Sequence, residues 1–165
     1  MCIRDRGWEL SLGVQRAPLR ALVQGPGLAW RLTAHAFARE LARSTPLARV
    51  LHRYVCVLLT EFGRSGLCHR FHAIEQRLAR WLLTTQDCAH STQLALTHEA
   101  LGHMLGVRRV GITNAATALH ARHLIDYRRG VITITDRAGL EQAACDCYRA
   151  HRRSYSELIP EGSRR

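Results

Sequence analysis

At 165 residues and 18.6 kDa the chain can hold one ordinary domain or two small ones with a real core. Its formal charge of +11 and pI near 10.6 point to an anionic partner. The longest aliphatic run, Tyr54–Leu59, is far too short to cross a bilayer, and no basic start followed by an apolar core marks a signal peptide, so no membrane role and a cytoplasmic chain are expected.

All 24 basic residues are arginine, so the position of the charge weighs more than its total. Met1–Arg6 fits no later pattern and Trp8–Ala17 is ambiguous. Leu19–Gln24 and Leu28–Leu32 read as short strands around the turn Gly25-Pro26-Gly27. Thr33 then caps a helix over about Ala34–Arg43, with Phe37 and Leu41 one turn apart. Two strands and one helix cannot bury a core alone, so the expectation is that residues 1–46 are the end of a domain beginning upstream.

Ser44-Thr45-Pro46 opens the longest helical pattern, with Pro46 suited to a first turn. Leu47, Leu51, Tyr54 and Leu58 step by 4, 3 and 4, the spacing of a helix pairing with its twin or packing on its own domain. Gly63, Ser65 and Gly66 weaken helicity, which predicts strain, a bend or a tight crossing there. A further helix over about Phe71–Thr84 buries Ile74, Leu78, Trp81 and Leu82, and Gln86–Gln93 reads as a polar loop.

Leu96–Thr135 reads as helix, tight turn, helix and two-stranded ribbon. Thr97 is an N-cap, Leu101 and Leu105 are one turn apart, and Gly102 is small where a second helix must cross. Gly106 stands where a chain leaving a helix needs positive φ. The second helix, about Arg108–His123, has Ile112, Ala115, Ala116 and Leu119 in one sector, with Arg109, Val110, Thr113, Asn114 and Thr117 opposite. That outward set has no acid and offers groups that bond phosphates and base edges.

Leu124–Tyr127 and Val131–Thr135, joined by Arg128-Arg129-Gly130, form a hairpin with an arginine tip. From Arg108 to Arg129 there are five arginines and one acid, Asp126. The fold class is therefore mainly α with a small β part, an α+β chain ending in a winged helix-turn-helix, with one helix for the major groove and a wing for the backbone beside it. Asp136 caps a last helix to about His151, with Leu140, Ala144 and Cys147 or Tyr148 inward, and Pro160–Arg165 is a basic tail.

Six cysteines, Cys2, Cys56, Cys68, Cys88, Cys145 and Cys147, are scattered and expected to be reduced. Cys68, His69 and His72 can share a helix face, and Cys147 and His151 stand at i, i+4. Neither group carries a second ligand pair at metal-site spacing, so buried thiols and solvated histidines are expected, and no metal or cofactor. His98-Glu99 with His103 at i+5 misses zinc-protease geometry, so no enzyme is expected either.

The segments His72-Ala-Ile-Glu-Gln-Arg-Leu-Ala-Arg-Trp-Leu-Leu83, Leu96-Thr-His-Glu-Ala-Leu-Gly-His-Met-Leu-Gly106-Val-Arg-Arg109 and Tyr127-Arg-Arg-Gly130 resemble regulators of the Crp/Fnr superfamily. The resemblance covers roughly Leu19 to Leu158. It implies the end of a cyclic-nucleotide-binding-type β-roll over 1–46, a dimerisation helix over 47–70 and a winged helix-turn-helix over 71–158. It further implies a homodimer on a two-fold-symmetric operator of double-stranded DNA, with RNA polymerase as a candidate further partner and Leu47, Leu51, Tyr54 and Leu58 at the dimer seam.

Carried over by position, Arg109 stands at the guanine-reading arginine, within Arg109-Val110-Gly111-Ile112-Thr113-Asn114. Val110 replaces a common glutamate and Asn114 a common arginine. Arg108 replaces a capping Ser or Thr, which leaves that helix start to a phosphate. Thr97, His98, Arg128 and Arg129 match phosphate-contacting positions. The family's effector site would precede residue 1, so the resemblance supplies no effector here. The competing reading is a winged-helix protein-interaction module without DNA binding; Arg108, Arg109, Arg128 and Arg129 favour DNA.

Overall fold

The computed structural model describes residues 6–21, 23 and 28–159. The expected Gly25-Pro26-Gly27 turn, the first five residues, Cys2 and the Pro160–Arg165 tail lie outside them. The chain divides into two compact units, one over Phe62–Arg152 and one combining Ile3–Glu61 with Arg153–Arg165.

In the second unit a single 3-10 turn, Trp8–Leu12, lies between Gly7 and Gly13, both at positive φ. The first α-helix, α1 (Ala34–Arg43), starts where expected: Thr33 accepts a hydrogen bond from the Ala36 amide. The strands expected at Leu19–Gln24 and Leu28–Leu32 do not form among the described residues. Leu19, Val23, Leu28, Trp30 and Leu32 are all exposed, so nothing covers the apolar face that a hairpin needs.

The long helix α2 (Thr45–Phe71) begins with Ser44 Oγ accepting from the Leu47 amide. It runs unbroken through Gly63 and Gly66, where an added Cβ would meet nothing within 4 Å. Among the described residues no tight crossing forms there, because those glycines face open space. The apolar seam also divides. Tyr54 and Leu58 are buried, and Leu47 and Leu51 are half-buried. The open apolar side chains of α2 are Leu59, Phe62, Leu67 and Phe71.

The Phe62–Arg152 unit is built on α3 (Ile74–Ala89), which starts three residues later and ends five later than expected. Gln76 Oε1 accepts from the Ala73 amide at its start, and His90 leaves it at φ 52°. Its last turns hold the buried but polar Thr85 and Gln86, and Gln86 opens the stretch where a loop was expected. Then come β1 (Gln93–Ala95), α4 (His98–Leu105), α5 (Arg109–Ala121), β2 (Ile125–Arg128), β3 (Val131–Ile134) and α6 (Arg137–Ala143).

The ribbon is a three-stranded antiparallel sheet in the order β1-β3-β2. Leu94 stands opposite Ile132, and Tyr127 opposite Ile132 from the other side. β1 was not legible because three residues, Gln-Leu-Ala, are too few to show alternation. The core is apolar and continuous, with Leu78, Leu82, Leu101, Ile112, Leu119, Ile132 and Leu140 fully covered.

The single last helix expected after Asp136 is two. α6 ends at Ala143, and α7 (Cys147–Leu158) starts after a break at Ala144-Cys145-Asp146. Asp136 caps α6 as expected, accepting from the Gly139 amide. Tyr148, the first buried aromatic of α7, donates its hydroxyl to Asp87 Oδ2 at 2.8 Å and accepts from Arg137 at 2.7 Å. Arg137 also reaches Asp87 Oδ1, Gln86 and Glu141. Burial and then the bond to Asp87 push the Tyr148 hydroxyl up to about 12. This network fastens α3, α6 and α7 through charge-assisted bonds.

Candidate nucleic-acid interface

The interface expected from sequence is assembled by α4, α5 and the β2–β3 wing. Thr97 caps α4, its Oγ1 accepting from the Ala100 amide at 3.1 Å, and Gly106 ends α4 at φ 62°. Arg77, buried on α3, donates to the Leu105 carbonyl and so satisfies the end of α4 from inside the core. Sequence reading missed this arginine, which looks like any other on a helix.

The chain turns back hard between α4 and α5. The Val107 amide donates to the Gly102 carbonyl at 2.9 Å, and a Cβ on Gly102 would stand 2.9 Å from the Val107 oxygen. Only glycine admits that approach. The expected close crossing is therefore present, and it sets how α5 leaves α4.

On α5 the two faces separate as the 100° spacing predicts. Ile112, Ala115, Ala116 and Leu119 are buried, while Arg109, Val110, Thr113, Asn114 and Thr117 are exposed. Arg108 precedes α5 in extended conformation with no side-chain cap. Arg108, Arg109 and Arg129 are exposed and form no ion pair with a described residue.

The wing is tighter than expected. Arg128 and Val131 pair directly, so the loop is the two residues Arg129 and Gly130, at φ 49° and φ 80°. Two successive positive φ values define a type I′ turn, and its first position holds an arginine where Asn or Gly would be relaxed. The strain places a charged side chain at the tip. The Gly130 carbonyl accepts from the Leu96 amide at 2.7 Å, which pins the tip beside the start of α4. Arg128, 86% exposed at its side chain, bonds Asp126 Oδ2 at 3.1 Å.

His98 stands at a position where a phosphate contact was expected. It is half-buried, its ring stacked on Tyr127 at 4.3 Å between centroids. Its Nδ1 lies 3.1 Å from Thr113 Oγ1, whose own hydroxyl donates to the Arg109 carbonyl. Burial, then the Arg109 charge, lower its pKa below the usual 6.5. His98 therefore joins the wing to α5 as a neutral ring.

Two helices crossing at a glycine, an exposed basic second helix and a pinned β-ribbon define a winged helix-turn-helix domain. Residues 76–143 match the family described as the Crp-like helix-turn-helix domain. A Crp/Fnr-family transcriptional regulator from Eubacterium rectale ATCC 33656 is similar in structure over 67% of this chain and 51% of its own, at 24% identity and a TM-score of 0.51. The catabolite activator protein of Thermus thermophilus is similar over 68% of this chain and 53% of its own, at 20% identity and a TM-score of 0.42. The chain thus spans about half the length of these two proteins. No curated protein matches it. Among the described residues no helix is long and apolar enough to cross a membrane.

Proposed function

We propose that the chain is a sequence-specific DNA-binding regulator that reads a two-fold-symmetric operator as a homodimer. The observation that supports this is the acid-free outer face of α5 beside an arginine-tipped wing. Arg109 is the base reader, bidentate to guanine O6 and N7, with Asn114 adding a preference for adenine and Val110 touching a thymine methyl. Thr113 and Thr117 border the groove. Arg108, Thr97, Arg128 and Arg129 hold phosphate, and His98 positions Thr113 rather than binding DNA itself.

Residues 71–158 are the DNA-binding domain in this reading, 47–70 the dimerisation helix and 1–46 the end of an effector domain. Leu59 and Phe62, open on α2, join Leu47 and Leu51 in the dimer contact, while Tyr54 and Leu58 serve the chain's own packing. RNA polymerase is the protein partner through which such a regulator acts.

The test is operator selection from a random DNA pool at one fixed salt concentration, with wild type and Arg109→Ala. Wild type should recover a two-fold-symmetric motif. Arg109→Ala should lose about 1–3 kcal/mol on it and relax one base pair per half-site. Recovery of the same guanine preference by both proteins would remove Arg109 from base reading. Recovery of no motif by wild type would end the proposal.

A further inference from the structure

The two cysteine–histidine groups that the sequence presents as separate are brought to one point. Cys68 lies in the last turn of α2 with His72 just beyond it, the His72 amide bonded to the Cys68 carbonyl at 3.1 Å. Cys145 and Cys147 lie on the α6–α7 break. Sγ of Cys68 is 3.6 Å from Sγ of Cys145 and 3.4 Å from His72 Nδ1, and Cys147 Sγ is 3.6 Å from the same Nδ1. All four ligand atoms lie within 4.8 Å of one another, and all three thiols are buried.

We propose that Cys68, His72, Cys145 and Cys147 bind one zinc ion in a closed tetrahedral Cys3His site. Zinc–sulfur and zinc–nitrogen bonds of ordinary length put tetrahedral ligands about 3.5–3.8 Å apart, where two of these pairs stand at 3.6 Å and a third at 3.4 Å falls just short. The set suits a single soft-acceptor ion; a cluster of several irons would need its sulfurs farther apart. The break in the last helix has its explanation here. Residues at i and i+2 on a continuous helix point about 200° apart, so Cys145 and Cys147 converge only if the helix is interrupted between them.

Charge fits as well. A zinc dication with three thiolates and a neutral imidazole carries one net negative charge. Arg80 on α3 lies close enough to act on Cys147, and its Nη1 is buried without a hydrogen-bond partner among the described residues. Four protein ligands leave no open position, so the site is structural. It clips the end of α2 to the α6–α7 elbow within the same unit. His69 and His151, which the sequence set beside these residues, are not among the four ligands.

The full chain, purified with reductant, is assayed for metal content and titrated with Co(II) as a spectroscopic stand-in for zinc. Wild type should carry one zinc per chain. Its Co(II) form should show tetrahedral d–d bands and sulfur-to-cobalt charge transfer, bleached by one equivalent of Zn(II). Cys145→Ser should weaken zinc binding by roughly a hundredfold or more, and His72→Cys should keep the ion while shifting the cobalt bands toward an all-sulfur set. Cys56→Ser with Cys88→Ser should change nothing. Wild-type protein that takes up no metal from Zn(II) or Co(II), or binds it without sulfur charge transfer, overturns the proposal. Loss of the metal in the Cys56/Cys88 double variant overturns it equally.

Discussion

Gly102→Ala tests whether the α4–α5 crossing is fixed by backbone contact. The new Cβ would stand 2.9 Å from the Val107 oxygen and 3.6 Å from the Arg109 amide nitrogen. Alanine raises helix propensity by about 1 kcal/mol over glycine. Overpacking typically costs about 1–3 kcal/mol, and the upper part of that range applies when the obstacle is main chain. Here the obstacle is a short turn tied at 2.9 Å through its own Val107 amide and ended by Gly106 at positive φ. The net expectation is a loss of about 1–2 kcal/mol, or roughly 4–15 °C in Tm for a unit of this size. Gly63→Ala is the matched comparison: its Cβ meets nothing, so it should gain up to about 1 kcal/mol. Thermal and urea melts, followed by circular dichroism and the fluorescence of the buried Trp81, measure both. If Gly102→Ala proves as stable as wild type, the turn yields freely and the crossing angle of α5 is set by something else.

The wing arginines should act on any DNA sequence alike. Arg128→Ala or Arg129→Ala should weaken specific and random DNA equally and reduce the salt slope by about one unit, and unchanged slopes would contradict a phosphate contact. Tyr148→Phe keeps the buried ring but removes the hydroxyl shared by Asp87 and Arg137, so urea melts should show a loss of about 1–2 kcal/mol. A neutral result there would mean that Arg137 and Asp87 satisfy each other without it.

What the sequence made legible is what recurs at fixed spacing. Thr33, Thr97 and Asp136 cap the helices they precede, because a cap is a local bond between a side chain and an amide three residues on. The two faces of α5 follow from 100° per residue, and Gly106 from the need for positive φ at a helix end. The misses are non-local. The polar end of α3 looked like a loop because Gln86 and Asp87 are satisfied by Arg137, some fifty residues away. The leucine–tyrosine seam of α2 shows an apolar face but not whose surface covers it. Cys68 with His72 and Cys147 with His151 showed only local spacings; it is the fold that brings Cys145 and Cys147 beside Cys68 and His72.

His98 gives the interface a pH dependence whose sign follows from its surroundings. The Thr113 hydroxyl gives its proton to the Arg109 carbonyl, so His98 Nδ1 is the donor in the bond to Thr113 Oγ1. Its Nε2 is buried and has no partner among the described residues. Protonation would therefore add an unsatisfied N–H and a positive charge facing Arg109, against the neutral ring of Tyr127. The folded chain resists that proton, and the unfolded chain accepts it near the ordinary value of 6.5. Between the lowered folded pKa and 6.5 the unfolded state binds more protons, so stability is full above 6.5 and is lost as pH falls through that window. His98→Asn keeps a donor toward Thr113 and cannot take the proton. Melts of both proteins at about pH 7.5 and about pH 5.5 isolate the residue from the other histidines, because only the difference between the two proteins is read. Wild type should lose more Tm on acidification than His98→Asn. Equal losses would mean that His98 takes its proton in the folded chain at no cost, and that the ring joining wing to recognition helix is freer than its stacking indicates.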